Sequence, residues 1–249
     1  DGRFGGRVLF PRNDTSSMVR KLRDGLWWLD LAGVNAYLAD DDGVVTLVDA
    51  GSPFDRRRVE RGIVEAVGSV GEVDRVLLTH YDIDHVGTLG RIDSLDARLY
   101  IGRADLPALT GEQFPSWRTR KGAFQRAVDW LRTPPSLPVE PVDDGDEIGS
   151  FRAYHTPGHT PGHTVYASEA LSAVFLGDAV WERAGEFGVP PRALCQDPDQ
   201  AAASIVDLAD RVPAVSAACQ GHGVPFRRHG GDRLAECARQ IEQQRRFSV

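Results

Sequence analysis

Two histidines and two aspartates fall within six residues, directly after a short apolar run, and this cluster constrains the fold more than any other feature. The apolar run, residues 76–78, predicts a buried strand. It leads into His80, Asp82, Asp84 and His85. Buried charges without partners oppose folding strongly, and coordination of a metal ion offsets that cost. We therefore interpret the cluster as a metal site, with a polar surface loop as the alternative.

The same segment resembles the signature loop T-H-x-H-x-D-H-x-G of the metallo-β-lactamase-fold superfamily. Five positions match that loop, namely Thr79, His80, Asp84, His85 and Gly87. Asp82 stands where the family has its second histidine. Three later segments resemble family motifs in the same order, and these are TPGHTPGH at 156–163, FLGD at 175–178 and GHG at 221–223. The resemblance therefore covers most of the chain, from about residue 49 to residue 222.

Carried over position by position, the resemblance implies two metal sites close together. Their ligands are His80, Asp82 and His159 for the first site and Asp84, His85 and His222 for the second, with Asp178 bridging the two. The resemblance also implies catalytic roles for Asp84 and Asp178, with Asp84 orienting the attacking hydroxide. It places Asp49 beneath the metal loop, where it would orient the ligands.

Three histidines recur at every fourth residue in the Pro-Gly segment, at 155, 159 and 163. Pro157 and Pro161, with the glycines that follow them, exclude a helix, so these histidines cannot share a helical face. The resemblance selects His159 as the ligand. We assign His163 to hydrogen bonding behind the ligands and His155 to a strand or the surface.

Asp82 changes the donor set of the first site from imidazole to carboxylate. A hard anionic oxygen favours iron or manganese over zinc, relative to histidine. We expect two divalent metal ions as cofactors, with zinc as the first expectation and iron or manganese as alternatives because of Asp82. The first site should be weaker, or differently occupied, than in relatives that have histidine there.

The resemblance favours a dinuclear metal-dependent hydrolase that uses a metal-bound hydroxide on an ester, thioester or lactone, with β-lactams included in that range. Two adjacent metal ions lower the pKa of a shared water towards neutrality and polarise the scissile carbonyl. One alternative is an iron-dependent redox enzyme, of the diiron or persulfide-oxidising type. The other is a non-catalytic metal-binding member of the superfamily.

Composition places the chain among ordinary globular proteins. The 249 residues are 41% hydrophobic and 26% charged, and we expect a single domain over residues 1–249. The formal charge of −7 argues against nucleic acid as a partner. No apolar run approaches the roughly 18 residues of a membrane span. We expect a cytoplasmic protein with a small-molecule substrate and no membrane partner; the sequence leaves the oligomeric state open, with a homodimer as one alternative.

Periodicity predicts a mixed α/β (α+β) chain, and the resemblance makes it the four-layered αβ/βα sandwich of the metallo-β-lactamase fold. Strands at 26–29, 34–38, 44–48 and 76–78 belong to one sheet. We assign 139–142 to a second sheet, together with strands at 151–156, 165–167 and 173–176. Amphipathic helices are predicted over 199–208 and 233–241, with a strand at 214–218 between them.

Residues 111–138 are predicted to form a helical insertion that acts as a lid near the active site. Three aromatic side chains of this segment, Phe114, Trp117 and Phe124, would line the substrate pocket. Trp181, in the predicted loop at 181–191, would line it as well. The alternative is an aromatic stripe that docks the helix onto the core. Basic residues of the segment, including Lys121, are expected on a solvated outer face, with recognition of an acidic substrate as the alternative.

Overall fold

The computed structural model describes residues 18–113 and 119–247. Its first sheet has seven strands that follow one another in chain order across the sheet. They are β1 (Val19–Arg23), β2 (Leu26–Asp30), β3 (Asn35–Asp41), β4 (Val44–Val48), β5 (Val73–Leu78), β6 (Arg98–Gly102) and β7 (Val139–Val142). The first four strands pair antiparallel, whereas β4 to β7 run parallel.

The second sheet has five strands in the order β14-β11-β10-β9-β8. They are β8 (Glu147–Ile148), β9 (Phe151–His155), β10 (Thr164–Ser168), β11 (Ala173–Gly177) and β14 (Ala217–Gln220). A separate hairpin joins β12 (Trp181–Arg183) to β13 (Glu186–Gly188). Strand β14 pairs with β11 in parallel.

Six α-helices lie in the described ranges, namely α1 (Arg56–Val67), α2 (Ile83–Val86), α3 (Leu106–Thr110), α4 (Arg120–Val128), α5 (Pro198–Arg211) and α6 (Gly230–Phe247). Helix α5 begins at Pro198, directly after Asp197, whose carboxylate accepts hydrogen bonds from the N–H groups of Asp199 and Gln200. Pro198 occupies the first turn, where its missing N–H costs nothing.

Three buried apolar layers join these elements. Val59 and Ile63 of α1 pack against the first sheet. Between the sheets, Tyr37 meets Phe175 edge to face, with ring centroids 5.8 Å apart. Ile205 of α5 and Ile241 of α6 pack on the outer face of the second sheet. The layers therefore follow the order helix, sheet, sheet, helix, and the predicted αβ/βα sandwich is confirmed.

The assignment of residues 139–142 to the second sheet is wrong. Strand β7 pairs in parallel with β6 and forms the edge of the first sheet. Pro141 is tolerated there because an edge strand needs fewer backbone donors. A parallel pair also needs a long crossover between its strands, and residues 103–138 with α3 and α4 provide it.

Two further segments differ from the predictions. The strand predicted at 214–218 lies at 217–220, and the segment after Trp181 forms the β12–β13 hairpin instead of a loop. Within residues 18–113 and 119–247, no helix is both long enough and apolar enough to cross a bilayer.

Candidate metal centre

The predicted site residues lie where strands of both sheets end at one edge of the sandwich. Asp49 follows β4 directly, and His80 lies two residues beyond β5. Asp178 follows β11, and His222 lies two residues beyond β14. The β9–β10 loop carries His159 and is tied to the first sheet, since the Thr164 N–H donates to the Thr79 carbonyl at 2.8 Å.

The first group of side chains consists of His80, Asp82 and His159. Their ligand atoms lie within 4.8 Å of one another. Asp82 Oδ2 is 3.4 Å from His80 Nε2 and 3.1 Å from His159 Nε2. Because Asp82 Oδ2 lies close to both ring nitrogens, this oxygen is the centre of the group. Both imidazoles are buried.

The second group consists of Asp84, His85 and His222, whose ligand atoms also lie within 4.8 Å of one another. His222 Nε2 is 3.6 Å from Asp84 Oδ2. Asp178 lies between the two groups. Its Oδ1 is 3.5 Å from His85 Nε2, and its Oδ2 is 3.4 Å from both His159 Nε2 and His222 Nε2. The structure thus brings together all seven side chains that the resemblance selects.

Three of these side chains have a buried polar atom without a hydrogen-bond partner among the described residues. The atoms are His80 Nε2, His85 Nε2 and Asp178 Oδ1. Buried polar atoms are almost always satisfied in folded proteins. All three face the same small space between the two groups. Divalent metal ions held there would satisfy them, and imidazole and carboxylate are suitable donors for zinc, iron or manganese.

The charges of the histidines and carboxylates around this space depend strongly on one another. Burial opposes a charge on His85, but the carboxylates of Asp49, Asp178 and Asp84 outweigh it and raise the pKa of His85 to about 10. Burial would raise the pKa of Asp178, yet His222, His85 and His159 hold that pKa well below its ordinary value. Asp178 is therefore an anion that can bind cations on both sides.

Asp49 supports the metal loop from below. Its Oδ2 lies 2.8 Å from His85 Nδ1 and accepts a hydrogen bond from the Thr79 hydroxyl at 2.8 Å. Its Oδ1 accepts from the Thr79 N–H at 2.9 Å. Because His85 Nδ1 is held by a carboxylate, Nε2 is directed towards Asp178. The structure places Asp49 where the resemblance predicts it.

His163 lies behind the metal ligands and holds the backbone of Asp178. Burial lowers the pKa of His163 well below its ordinary value, so the ring is neutral. Its Nε2 accepts a hydrogen bond from the Asp178 N–H at 3.1 Å, and its Nδ1 lies 2.7 Å from the Thr156 hydroxyl. His155 is exposed on β9, as predicted.

Gly221 allows His85 and Asp178 to approach β14 closely. A Cβ atom at this position would lie 2.4 Å from Asp178 Oδ1 and 2.7 Å from the His85 Cε1 atom. Real Cβ contacts are not that short. Any side chain at 221 would therefore displace both groups.

Asp105 is a site residue that no sequence pattern predicts, and it is fully buried in the turn between β6 and α3. Its carboxylate accepts hydrogen bonds from the Thr160 hydroxyl and the Gly162 N–H, each at 2.6 Å. It therefore positions the loop that carries His159. No spacing in the sequence distinguishes this aspartate from an ordinary turn residue, because its partners lie more than 50 residues away.

Lys121 was assigned to a solvated outer face, and that prediction is wrong. The side chain is 3% exposed, and its Nζ lies 2.8 Å from Asp82 Oδ2. Gln125, one helical turn later, donates a hydrogen bond from Nε2 to the other oxygen, Asp82 Oδ1. Burial would raise the pKa of Asp82, but Lys121, His80 and His159 hold it well below its ordinary value.

A cleft of about 230 Å³ opens above the two groups. Its apolar wall consists of Ile83, Phe124, Trp181 and Leu194. The structure thus places the predicted pocket residues Phe124 and Trp181 at the cleft, and the Trp181 ring lies 4.4 Å from the His222 ring. The predicted pocket residues Phe114 and Trp117 lie outside the described residues.

Comparison with known proteins agrees with this geometry. Residues 29–222 match the sequence profile of the Metallo-beta-lactamase superfamily. The chain is 29% identical over 225 residues to the uncharacterized protein YobT of Bacillus subtilis (strain 168), covering 84% of this chain and 91% of that protein.

Solved structures share the fold. A metallo-beta-lactamase family protein of Thermus thermophilus is 27% identical, with a TM-score of 0.66 over 91% of this chain and 81% of that one. The protein TTHA1623, crystallised in a di-iron-bound form, is 28% identical, with a TM-score of 0.59 over 78% and 89%. A subclass B3 metallo-beta-lactamase from a soil metagenome library, 19% identical, has a TM-score of 0.70 over 92% and 95%. The sequence profile, the fold and the two adjacent His/Asp groups show that the chain belongs to the metallo-beta-lactamase superfamily.

Proposed function

We propose that this protein is a metal-dependent hydrolase with two metal sites, acting on an ester, a thioester or a lactone. The observation that carries the proposal is the position of Asp178. Its two oxygens lie within 3.5 Å of His85, His159 and His222, which belong to both ligand groups. A carboxylate shared in this way suits a pair of cations more than a single one.

His80, Asp82 and His159 would hold one ion, and Asp84, His85 and His222 the other. When bound, such ions supply an activated water and a Lewis acid for the scissile carbonyl. The protein's contribution is rigidity, since each ligand lies at a strand end or is held by a buried neighbour such as Asp49.

Asp84 is the candidate proton acceptor. Its side chain is 41% exposed and lines the cleft, and only Oδ2 approaches His222. The carboxylate can therefore serve the second group and still orient the attacking water. A positioned carboxylate of this kind acts as a general base.

The cleft favours a small acyl substrate. Phe124 and Leu194 are exposed at the cleft and can cover an apolar acyl chain. The Trp181 ring forms part of the same wall and lies 4.4 Å from the His222 ring, so it bounds the cleft beside the second group.

A panel of esters, thioesters and lactones tests the proposal, with zinc, iron or manganese added to chelator-treated protein. We expect hydrolysis that is lost on chelation and in Asp178→Asn. The matched control is His229→Ala, because His229 is an exposed histidine outside both groups. Hydrolysis that survives both chelation and Asp178→Asn would contradict the proposal.

A redox function is the second candidate, because Asp82 adds a hard oxygen donor and a 28% identical structure was solved in a di-iron-bound form. The same preparation distinguishes the two functions. Turnover that requires iron together with oxygen or a reductant, without hydrolysis of any ester, thioester or lactone, would favour the redox enzyme.

A further inference from the structure

Lys121 is the unusual feature of the first ligand group. It is one of two lysines in the chain. Its ammonium lies 2.8 Å from Asp82 Oδ2, the same oxygen that approaches His80 and His159. The oxygen available for a first metal ion therefore already has a cationic partner.

The contact is an ion pair by distance, yet Nζ makes no well-directed hydrogen bond among the described residues. An ammonium group has three donors, and burying it without good partners is unfavourable. Lys121 is thus held at Asp82 mainly by charge. Such a contact can be given up when another cation neutralises the carboxylate.

Helix α4 holds both oxygens of Asp82. Lys121 and Gln125 are four residues apart and so lie on the same face of the helix. Gln125 Oε1 accepts a hydrogen bond from the Tyr81 hydroxyl at 2.8 Å, and Gln196 Nε2 donates to that hydroxyl at 2.7 Å. The carboxylate at 82 therefore matches α4, since a histidine could not form an ion pair with Lys121 through one atom and accept a hydrogen bond from Gln125 through another.

Among the described residues, no lysine or arginine forms an ion pair with the second ligand group. The described basic side chains that line the cleft are Lys121, His159 and His222, and of these only Lys121 is not a member of a ligand group. Two cations on one carboxylate oxygen repel each other, and the repulsion is strong where water is excluded. Lys121 and a first metal ion therefore oppose each other. In the second group the charge on His85 is a proton that a metal ion replaces on the same nitrogen, whereas the Lys121 ammonium stays beside a first metal ion unless the side chain moves.

We propose that Lys121 is a built-in competitor of the first metal ion, so that the second site fills first and the first site fills only when Lys121 leaves Asp82. This inference rests on the proposed metal centre. It makes Lys121 a positioning residue that sets metal occupancy through Asp82.

Zinc titration of chelator-treated protein tests the proposal, with a competing chromophoric chelator to measure each equivalent. We expect wild type to bind one tight and one weak equivalent. In Lys121→Met, which keeps a long unbranched chain without charge, the weak equivalent should tighten at least about tenfold, as expected for removal of a neighbouring charge. Lys121→Arg should stay weak, and Lys21→Met, an exposed lysine on β1, is the matched control.

Equal affinity of the weak equivalent in wild type and Lys121→Met would overturn the inference and leave the proposed function intact. No bound zinc in any variant would contradict the metal centre itself. The two failures are therefore distinguishable.

A second measurement uses the wild-type chain alone and does not depend on the folding of a variant. Amine acetylation followed by mass spectrometry compares Lys121 with Lys21 in the same molecule. Lys121 should be protected without zinc and at one equivalent, and should become reactive at the second. Protection that persists when both equivalents are bound would overturn the proposal.

Discussion

The buried carboxylate of Asp105 is one of the groups that hold the loop carrying His159, and its removal has a calculable effect. In Asp105→Ala, the Thr160 hydroxyl and the Gly162 N–H both lose their acceptor. Each buried donor left without a partner costs about 1–3 kcal/mol. We therefore expect the free energy of unfolding to fall by about 4 kcal/mol, measured by urea denaturation with circular dichroism.

Asp105→Asn isolates the charge from the hydrogen bonds. The amide oxygen can still accept from the Gly162 N–H, and the Thr160 hydroxyl can rotate to accept from the amide. Burial raises the pKa of Asp105 from 3.8 to about 6 despite these two hydrogen bonds. The folded protein therefore binds this proton more tightly than the unfolded chain does.

The sign of the pH dependence follows from that difference. A raised carboxyl pKa contributes stability that is present below about pH 4 and is lost as the pH rises through about 6. One pKa unit corresponds to about 1.4 kcal/mol, so the contribution is on the order of 3 kcal/mol. The stability of wild type minus that of Asp105→Asn should fall by this amount between pH 4 and pH 7.

The measurement requires chelator-treated protein, because bound metal ions would change the electrostatics of the loop. Urea denaturation of both proteins at intervals across that range gives the difference directly. A difference that is constant, or that rises with pH, would refute the assignment of a raised pKa to Asp105.

Three further substitutions act on the metal centre. Gly221→Ala should abolish tight metal binding, because the new Cβ would lie 2.4 Å from Asp178 Oδ1. Calorimetric titration with zinc measures this loss. Gly231→Ala is the control, because a Cβ atom there would have its nearest contact at an ordinary 3.5 Å. Asp49→Ala removes the partner of His85 Nδ1 and should weaken metal binding about 10–100-fold, as for other groups behind metal ligands; unchanged affinity would contradict the orienting role. Asp82→His should shift the metal content of protein purified without added metal towards zinc; an unchanged metal composition would show that Asp82 does not select the metal.

The ligand positions were predictable because their signal is local. Four of them, His80, Asp82, Asp84 and His85, lie in one short segment, and Asp178 and His222 lie in short segments of their own. Each short segment follows a strand, and the resemblance selects which of its residues are ligands. The order of the layers was predictable from the resemblance, because periodicity alone indicates only a mixed α/β chain.

Features that depend on contacts between distant segments were not predictable. Lys121 has the same neighbours in sequence as a solvated helix residue, and only the placement of α4 over Asp82 buries it. Asp105 looks like any turn aspartate until Thr160 and Gly162 are brought against it. Strand β7 was assigned to the wrong sheet because its apolar pattern does not specify which strand it pairs with.

The most direct test of the metal centre is the metal content per chain, measured by elemental analysis on wild type, His222→Ala and His229→Ala. His222 belongs to the second ligand group, and His229 is exposed outside both groups. We predict at least one metal ion per chain in wild type and in His229→Ala, and less in His222→Ala. Wild-type protein with no stoichiometric metal, even after incubation with zinc, iron or manganese, would contradict the account.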